Sequence, residues 1–157
     1  MCDASKQVQN YAMYLLGRRD YGTQELRERL LRPHPKREPP DEAHVEAALE
    51  RLTELGLVND GRRAERLAES LRRKGWGTRR IRMELRQRGL PEPDESPEGD
   101  SETIARLLQT KYAAKLRDEQ GRGSVVQALM RRGFCYADIR SAMNCCDDNT
   151  YDAGDFE

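Results

Sequence analysis

The sequence predicts an all-α protein, an elongated array of three tandem three-helix repeats. Three observations lead there. Apolar residues recur with the 3.6-residue period of a helix along the chain, and no segment shows the alternation of a strand. Three helical segments close on a glycine followed by a large apolar residue, at Gly56-Leu57, Gly89-Leu90 and Gly133-Phe134. The apolar supply is thin: Leu, Ile, Val and Phe number 27 of 157 residues, while 36% are charged. Small helical units that each bury one stripe suit that supply better than a single thick core.

The elements follow in order. Val8, Tyr11, Ala12, Leu15 and Leu16 fall at i, i+3, i+4, i+7 and i+8, one face of a first helix. Thr23 offers an N-cap for a second, carrying Leu26 and Leu30. Pro33, Pro35, Pro39 and Pro40 stop it and predict a loop. Asp41 and Glu42 open a third helix, with Val45, Ala48, Leu49 and Leu52 inward. Asp60 is the expected cap of a fourth, carrying Ala64, Leu67, Ala68 and Leu71. After Lys74-Gly75-Trp76-Gly77, Thr78 is the expected cap of a fifth, with Ile81 and Leu85. Further helices carry Ile104, Leu107, Leu108 and Tyr112, then Val125 and Leu129, then Tyr136, Ile139 and Met143.

In each Gly-apolar stop, a left-handed glycine at C′ lets its follower pack on the residue at C3. Those residues are Leu52, Leu85 and Leu129. The segments also repeat. Gly22-Thr23, Leu26 and Leu30 align with Gly77-Thr78, Ile81 and Leu85, and again with Gly121-Arg122, Val125 and Leu129. Units this small cannot bury their apolar faces alone, so neighbours must stack. The expected boundaries are 6–58 for repeat one, 59–100 for repeat two with its acidic, proline-rich end, 101–146 for repeat three and 147–157 for an acidic tail.

Charge is distributed unevenly. Lys+Arg and Asp+Glu both number 28, yet residues 61–90 hold eleven basic side chains against Glu65, Glu69 and Glu84. Residues 91–104 hold six acidic and no basic ones, and the last thirteen hold five acidic and no basic ones. The basic stretch is either a solvated helix face or a docking surface for an anionic partner. Residues 91–100 and 147–157 combine Pro or Asp with few apolar residues and are expected to be mobile.

Several classes are excluded. No apolar run approaches the ~18 residues of a membrane span. Met1-Cys2-Asp3-Ala4-Ser5-Lys6-Gln7 lacks the apolar stretch of a signal peptide. A cytoplasmic protein without membrane contact is expected. Cys2, Cys135, Cys145 and Cys146 form no CxxC pair and have no histidine at ligand spacing. Reduced thiols without a metal are therefore expected. No nucleotide-binding, hydrolase or metalloprotease motif occurs, so no catalytic residue or cofactor is assigned.

Three blocks carry a family resemblance. Arg19-Asp20-Tyr21-Gly22-Thr23-Gln24-Glu25-Leu26-Arg27-Glu28-Arg29-Leu30 is the first. Leu55-Gly56-Leu57-Val58-Asn59-Asp60 is the second. The most specific is Arg73-Lys74-Gly75-Trp76-Gly77-Thr78-Arg79-Arg80-Ile81, continued by Glu84-Leu85 and Arg88-Gly89-Leu90. In this order they resemble the RecX family, bacterial regulators of the RecA recombinase, over residues 6 to about 145. The resemblance implies three tandem three-helix repeats and no enzymatic activity. It also implies binding along the RecA–DNA filament that restrains RecA's ATPase, strand exchange and coprotease activities. Two features depart from the family pattern. Pro91, Pro93 and Pro97 interrupt the stretch where a third helix usually follows, so that helix is short or lost. Repeat three has Gln120 where repeat two has Trp76.

The expected partner-binding residues are Arg72, Arg73, Lys74, Arg79, Arg82 and Arg86. At 100° per residue, Arg79, Arg82 and Arg86 form one stripe opposite Ile81 and Leu85, and guanidinium groups in line suit carboxylates or phosphates. Trp76 is either a core plug or an exposed anchor, and its tight turn beside Leu71 and Ile81 favours the core. The expected partner of this monomer is the RecA filament, with at most weak contact to DNA. The alternative is a direct nucleic-acid binder, with helix 61–73, turn 74–77 and helix 78–88 read as a helix-turn-helix. The acidic segments weigh against that as the main role.

Overall fold

The computed structural model describes residues 3–92 and 98–148. Among them are eight α-helices: α1 Asp3–Arg18, α2 Thr23–Leu31, α3 Glu42–Glu54, α4 Asp60–Arg73, α5 Thr78–Gln87, α6 Glu98–Gln109, α7 Glu119–Arg131 and α8 Tyr136–Asp148. A short 3-10 turn, Ala114–Arg117, precedes α7. Among the described residues the only β-type pairing is one isolated bridge, His34 with Arg37, in the loop after α2. The fold is all-α, and the helical periods of the sequence mark the buried faces.

The chain divides into two compact units, and the division runs through α4 and α5. The first takes Met1–Leu67 and Leu85–Pro93, the second Ala68–Glu84 and Asp94–Glu157. In the first, α1 packs on α3 and α2. Its core is Val8, Ala12, Leu15, Tyr21, Leu26, Leu30, Val45, Ala48, Leu49, Leu52 and Val58. In the second, α6 and α7 pack on α8. Its core is Ile104, Leu107, Leu108, Tyr112, Val125, Leu129, Phe134, Ile139 and Met143. Tyr136 departs from its predicted role: it is exposed at the start of α8.

All three predicted stop signals close as Schellman motifs. The amides of Leu57, Leu90 and Phe134 donate to the carbonyls of Leu52, Leu85 and Leu129 at 3.0, 2.9 and 3.2 Å. A fourth, unpredicted, ends α4: Gly75 has φ +87° and the Trp76 amide reaches the Leu71 carbonyl at 3.1 Å. The apolar contact fails at one stop. Leu57 is exposed, and its neighbour Val58 is buried instead.

The helix starts correct the sequence reading. Gly22, not Thr23, is the N-cap of α2, and its amide donates to Glu25 Oε2 at 3.2 Å. Asn59 caps α4, its Oδ1 accepting from the Arg62 amide at 3.0 Å. Asp60 is thereby released to reach α2, where its Oδ1 accepts from the Thr23 amide at 2.6 Å. The same device recurs in the second unit. Asp100 of α6 accepts from the Thr78 amide at 3.1 Å and from the Thr78 hydroxyl at 2.7 Å. Asp100 is buried and helical, which overturns an open linker across 98–100. Among the described residues no helix lies between α5 and α6. Residues 93–97 of the acidic stretch, and 149–157 of the tail, lie outside the described residues.

The third copy of the repeat differs at its start. Gly121 lies inside α7, which Asp118 caps by accepting from the Gly121 amide. Arg122, aligned in sequence with Thr23 and Thr78, makes a two-pronged ion pair with Asp147 of α8 at 3.0 and 2.5 Å. That pair holds the Asp147 carboxyl below the usual carboxylate range. Cys135 and Cys145 are exposed free thiols, and Cys146 is half-buried.

Candidate partner-binding site

The basic stretch does not present all its charge to solvent. Arg63 Nε and Arg88 Nη1 both face the half-buried carboxylate of Glu25, at 3.4 and 3.3 Å. Arg66 pairs with Asp20. Carboxylates of the first unit thus balance part of the local excess. This balance was illegible in a windowed charge count, because those carboxylates lie far back in sequence.

The six predicted site residues separate into two groups. Arg72 is turned inward: its side chain is 22% exposed, 3.9 Å from Asp100 and 3.4 Å from the Thr78 hydroxyl. It braces the start of α5. Arg73, Lys74, Arg79, Arg82 and Arg86 are exposed. On α5 the two faces are cleanly divided, with Ile81 and Leu85 at 1% and 0% exposure opposite the arginines. Arg86 also pairs with Glu92 at 2.7 Å, an exposed contact that water and salt screen.

The turn that carries Lys74 is held from three directions, all within the second unit. Arg106 Nη2 donates to the carbonyls of Arg72 and Arg73 at 3.1 and 3.3 Å. Arg132 Nη1 donates to those of Lys74 and Gly75, both at 3.2 Å. These cations meet the last carbonyls of α4, where the helix dipole is negative. The Gly77 amide donates to the Arg132 carbonyl at 2.7 Å, and the Arg79 amide to the Gly133 carbonyl at 3.2 Å. Backbones approach so closely that a Cβ on Gly77 would lie 2.5 Å from the Gly133 carbonyl.

Trp76 is half-buried, not a core plug. The guanidinium groups of Arg80 and Arg132 each lie 5.4 Å from its ring. A depression of about 370 Å³ beside it is lined by Trp76, Arg80, Tyr112, Ala128, Arg131 and Arg132. Sequence reasoning missed Asp100, Arg106 and Arg132, which fix the turn. Their partners are backbone groups of another helix, and no local pattern announces them.

Among the described residues no group of three or more His, Cys, Asp or Glu is placed to hold a metal ion. No described helix is long and apolar enough to cross a membrane. The arrangement offers charge and hydrogen-bond donors on a fixed scaffold, which is the chemistry of recognising an anionic surface.

Comparison with known proteins agrees with this architecture. A family model described as RecX, second three-helix domain, matches residues 59–94. Regulatory protein RecX of Ectopseudomonas mendocina is 36% identical over 155 residues, covering 94% of this chain and 100% of that protein. Regulatory protein RecX of Halorhodospira halophila is 34% identical over 153 residues, covering 93% and 92%. The crystal structure of RecX from Lactobacillus salivarius matches with a TM-score of 0.76 at 18% identity, over 94% of this chain and 99% of that one. A second crystal structure of regulatory protein RecX gives 0.71 at 20% identity, over 88% and 72%. With relatives above 30% identity along nearly the whole length, and the helical order shared with solved members, the chain belongs to the RecX family of regulatory proteins.

Proposed function

We propose that this protein is a non-enzymatic modulator that binds RecA and its DNA filament. It restrains RecA's ATP hydrolysis, strand exchange and coprotease activity in recombination, DNA repair and the SOS response. It acts as a cytoplasmic monomer without cofactor or metal. The carrying observation is the exposed row Arg79, Arg82 and Arg86 on α5, a helix whose first turn is fixed by Asp100. Arg73 and Lys74 extend the row from the end of α4. A nucleoprotein groove presents phosphates and carboxylates together, and guanidinium groups engage both. Arg72 acts by positioning α5.

A helix-turn-helix reading fits less well. Recognition helices of that class contact bases with their N-terminal residues. Here the N-terminus of α5 is occupied: Asp100 accepts from the Thr78 amide, and the Gly133 carbonyl from the Arg79 amide.

The test is RecA's DNA-dependent ATP hydrolysis with and without the protein. The parent lowers it and hydrolyses no ATP alone. The triple variant Arg79→Glu, Arg82→Glu, Arg86→Glu stays helical by circular dichroism, because Ile81 and Leu85 are untouched, and no longer inhibits. Inhibition at the parental level by that variant overturns the assignment of the surface.

A further inference from the structure

The depression beside Trp76 gathers more positive charge than bracing its turn requires. Arg80, Arg131 and Arg132 line it together with Trp76, Tyr112 and Ala128, and no carboxylate is among these lining residues. Lys111 adds a cation 5.8 Å from the Tyr112 ring. All of these residues belong to the second unit.

Two of the guanidinium groups are already placed. Arg132 Nη1 donates to the carbonyls of Lys74 and Gly75, both at 3.2 Å, so its remaining N–H groups keep a fixed direction. Arg80 shares the Trp76 ring with Arg132, each 5.4 Å from its centre, and pairs with Glu84 at 3.7 Å. Arg131 is exposed, and its side chain makes no ion pair among the described residues. Like charges held around one ring repel, and an anion between them removes the repulsion.

Tyr112 is a second, independent indication. It is 5% exposed, it lines the depression, and its hydroxyl has no hydrogen-bond partner among the described residues. A buried tyrosine hydroxyl normally has one. A phenol donor on a wall shared with guanidinium groups is completed by an acceptor oxygen.

Size and charge together narrow the ligand. A volume of about 370 Å³ is at the small end of ligand sites. It suits a compact anion with several charges. A single carboxylate would occupy one guanidinium and leave the others unneutralised. We propose that this depression binds a small polyphosphate, free or as the phosphate chain of a nucleotide. Arg80, Arg131 and Arg132 take the phosphate oxygens, and the Tyr112 hydroxyl donates to one of them. Trp76 holds Arg80 and Arg132 on one ring. The site shares no residue with the α5 row proposed to meet the filament.

Trp76 is the only tryptophan, so its emission reports on the site directly. The experiment is a titration of the full chain with tripolyphosphate at constant ionic strength, followed by that emission. A saturable change is expected. Sulfate and orthophosphate should need roughly 10-fold higher concentrations, because each spans fewer of the arginines. Arg131→Gln weakens tripolyphosphate by roughly 10-fold, the loss of one charge-assisted hydrogen bond. Tyr112→Phe keeps the buried ring and weakens it by roughly 2- to 10-fold, the loss of one neutral donor. Arg140→Gln removes an exposed cation of the same unit outside the depression and binds like the parent. Circular dichroism of all three variants should match the parent. ATP in place of tripolyphosphate identifies the source: tighter binding assigns a nucleotide, and equal or weaker binding assigns the inorganic chain. The proposal is overturned if the emission does not saturate with tripolyphosphate, if sulfate acts at the same concentration, or if either Arg131→Gln or Tyr112→Phe binds like the parent. It is equally overturned if Arg140→Gln loses as much as Arg131→Gln, which would be an effect of net charge. Citrate binding as tightly as tripolyphosphate also sinks it, since the occupant would then be a carboxylate. Neither RecA nor DNA is present in the assay, so its failure and the failure of the filament reading are separate results.

Discussion

Asp100 takes both the amide and the hydroxyl of Thr78, at 3.1 and 2.7 Å, and so starts a helix that lies 22 residues before it in the chain. Asp60 does the same for the amide of Thr23, across 37 residues. In both cases a Gly-Thr pair opens the helix, and the carboxylate comes from a helix later in the chain, α4 for α2 and α6 for α5. The first turn of α2 and of α5 is therefore capped in part by a side chain of a later helix. Local helix nucleation and long-range packing are joined at these two residues.

Replacing Asp100 should therefore be costly for a single polar side chain. Asp100→Ala removes a cap and leaves the Thr78 amide and the Arg72 guanidinium without that buried acceptor. The expected loss is about 2–3 kcal/mol. Asp100→Asn keeps one oxygen and should lose about half as much. Asp60→Ala, which vacates one bond, should cost about 1–2 kcal/mol. Urea unfolding checks this through a lower midpoint at unchanged slope. A parental midpoint for Asp100→Ala would show that the cap carries no stability.

Two glycine substitutions should move in opposite directions. The Cβ of Gly77→Ala would meet the Gly133 backbone at 2.5 Å, and neither strand of chain can give way. A loss of about 2–4 kcal/mol is expected, with a changed emission of Trp76, the only tryptophan. Gly123 lies inside α7 with nothing within 4 Å of an added Cβ. Gly123→Ala should stabilise by up to about 1 kcal/mol through helix propensity. Equal thermal shifts in the two variants would contradict the close approach of the turns.

Asp147 gives a pH dependence with a defined sign. Arg122 lowers its folded pKa through their hydrogen bonds, against some opposing desolvation. A depressed folded pKa means stabilisation present above the unfolded value and lost as pH falls through the folded one. The contribution is thus full at neutral pH and vanishes in acid below the usual carboxylate range. A carbon-detected NMR titration of the Asp147 carboxyl should report a midpoint below that range. In Arg122→Gln the midpoint should rise to it. An unchanged midpoint would show that the pair does not persist in solution.

The helix interiors were legible because their periodicity is local. Val8, Ala12 and Leu15, or Val45, Ala48, Leu49 and Leu52, announce one face within a few turns and are buried on it. The glycine stops were legible for the same reason. The caps were misread because an aspartate before a helix looks the same whether it serves its own helix or another. Asn59 held the local role, which freed Asp60 for the distant one. Within the site, the stripe on α5 follows from the helical period, whereas the inward turn of Arg72 depends on Asp100, which sequence reading placed in a mobile linker.

The pair Arg122–Asp147 also sets the third copy of the motif apart from the first two. There the residue after the glycine is Thr, and its amide donates to a carboxylate from a later helix. In the third copy it is Arg, and α8 supplies the carboxylate to the guanidinium. Both partners of that pair are partly open to solvent, so dissolved salt screens this contact more than it screens the buried cap at Asp100.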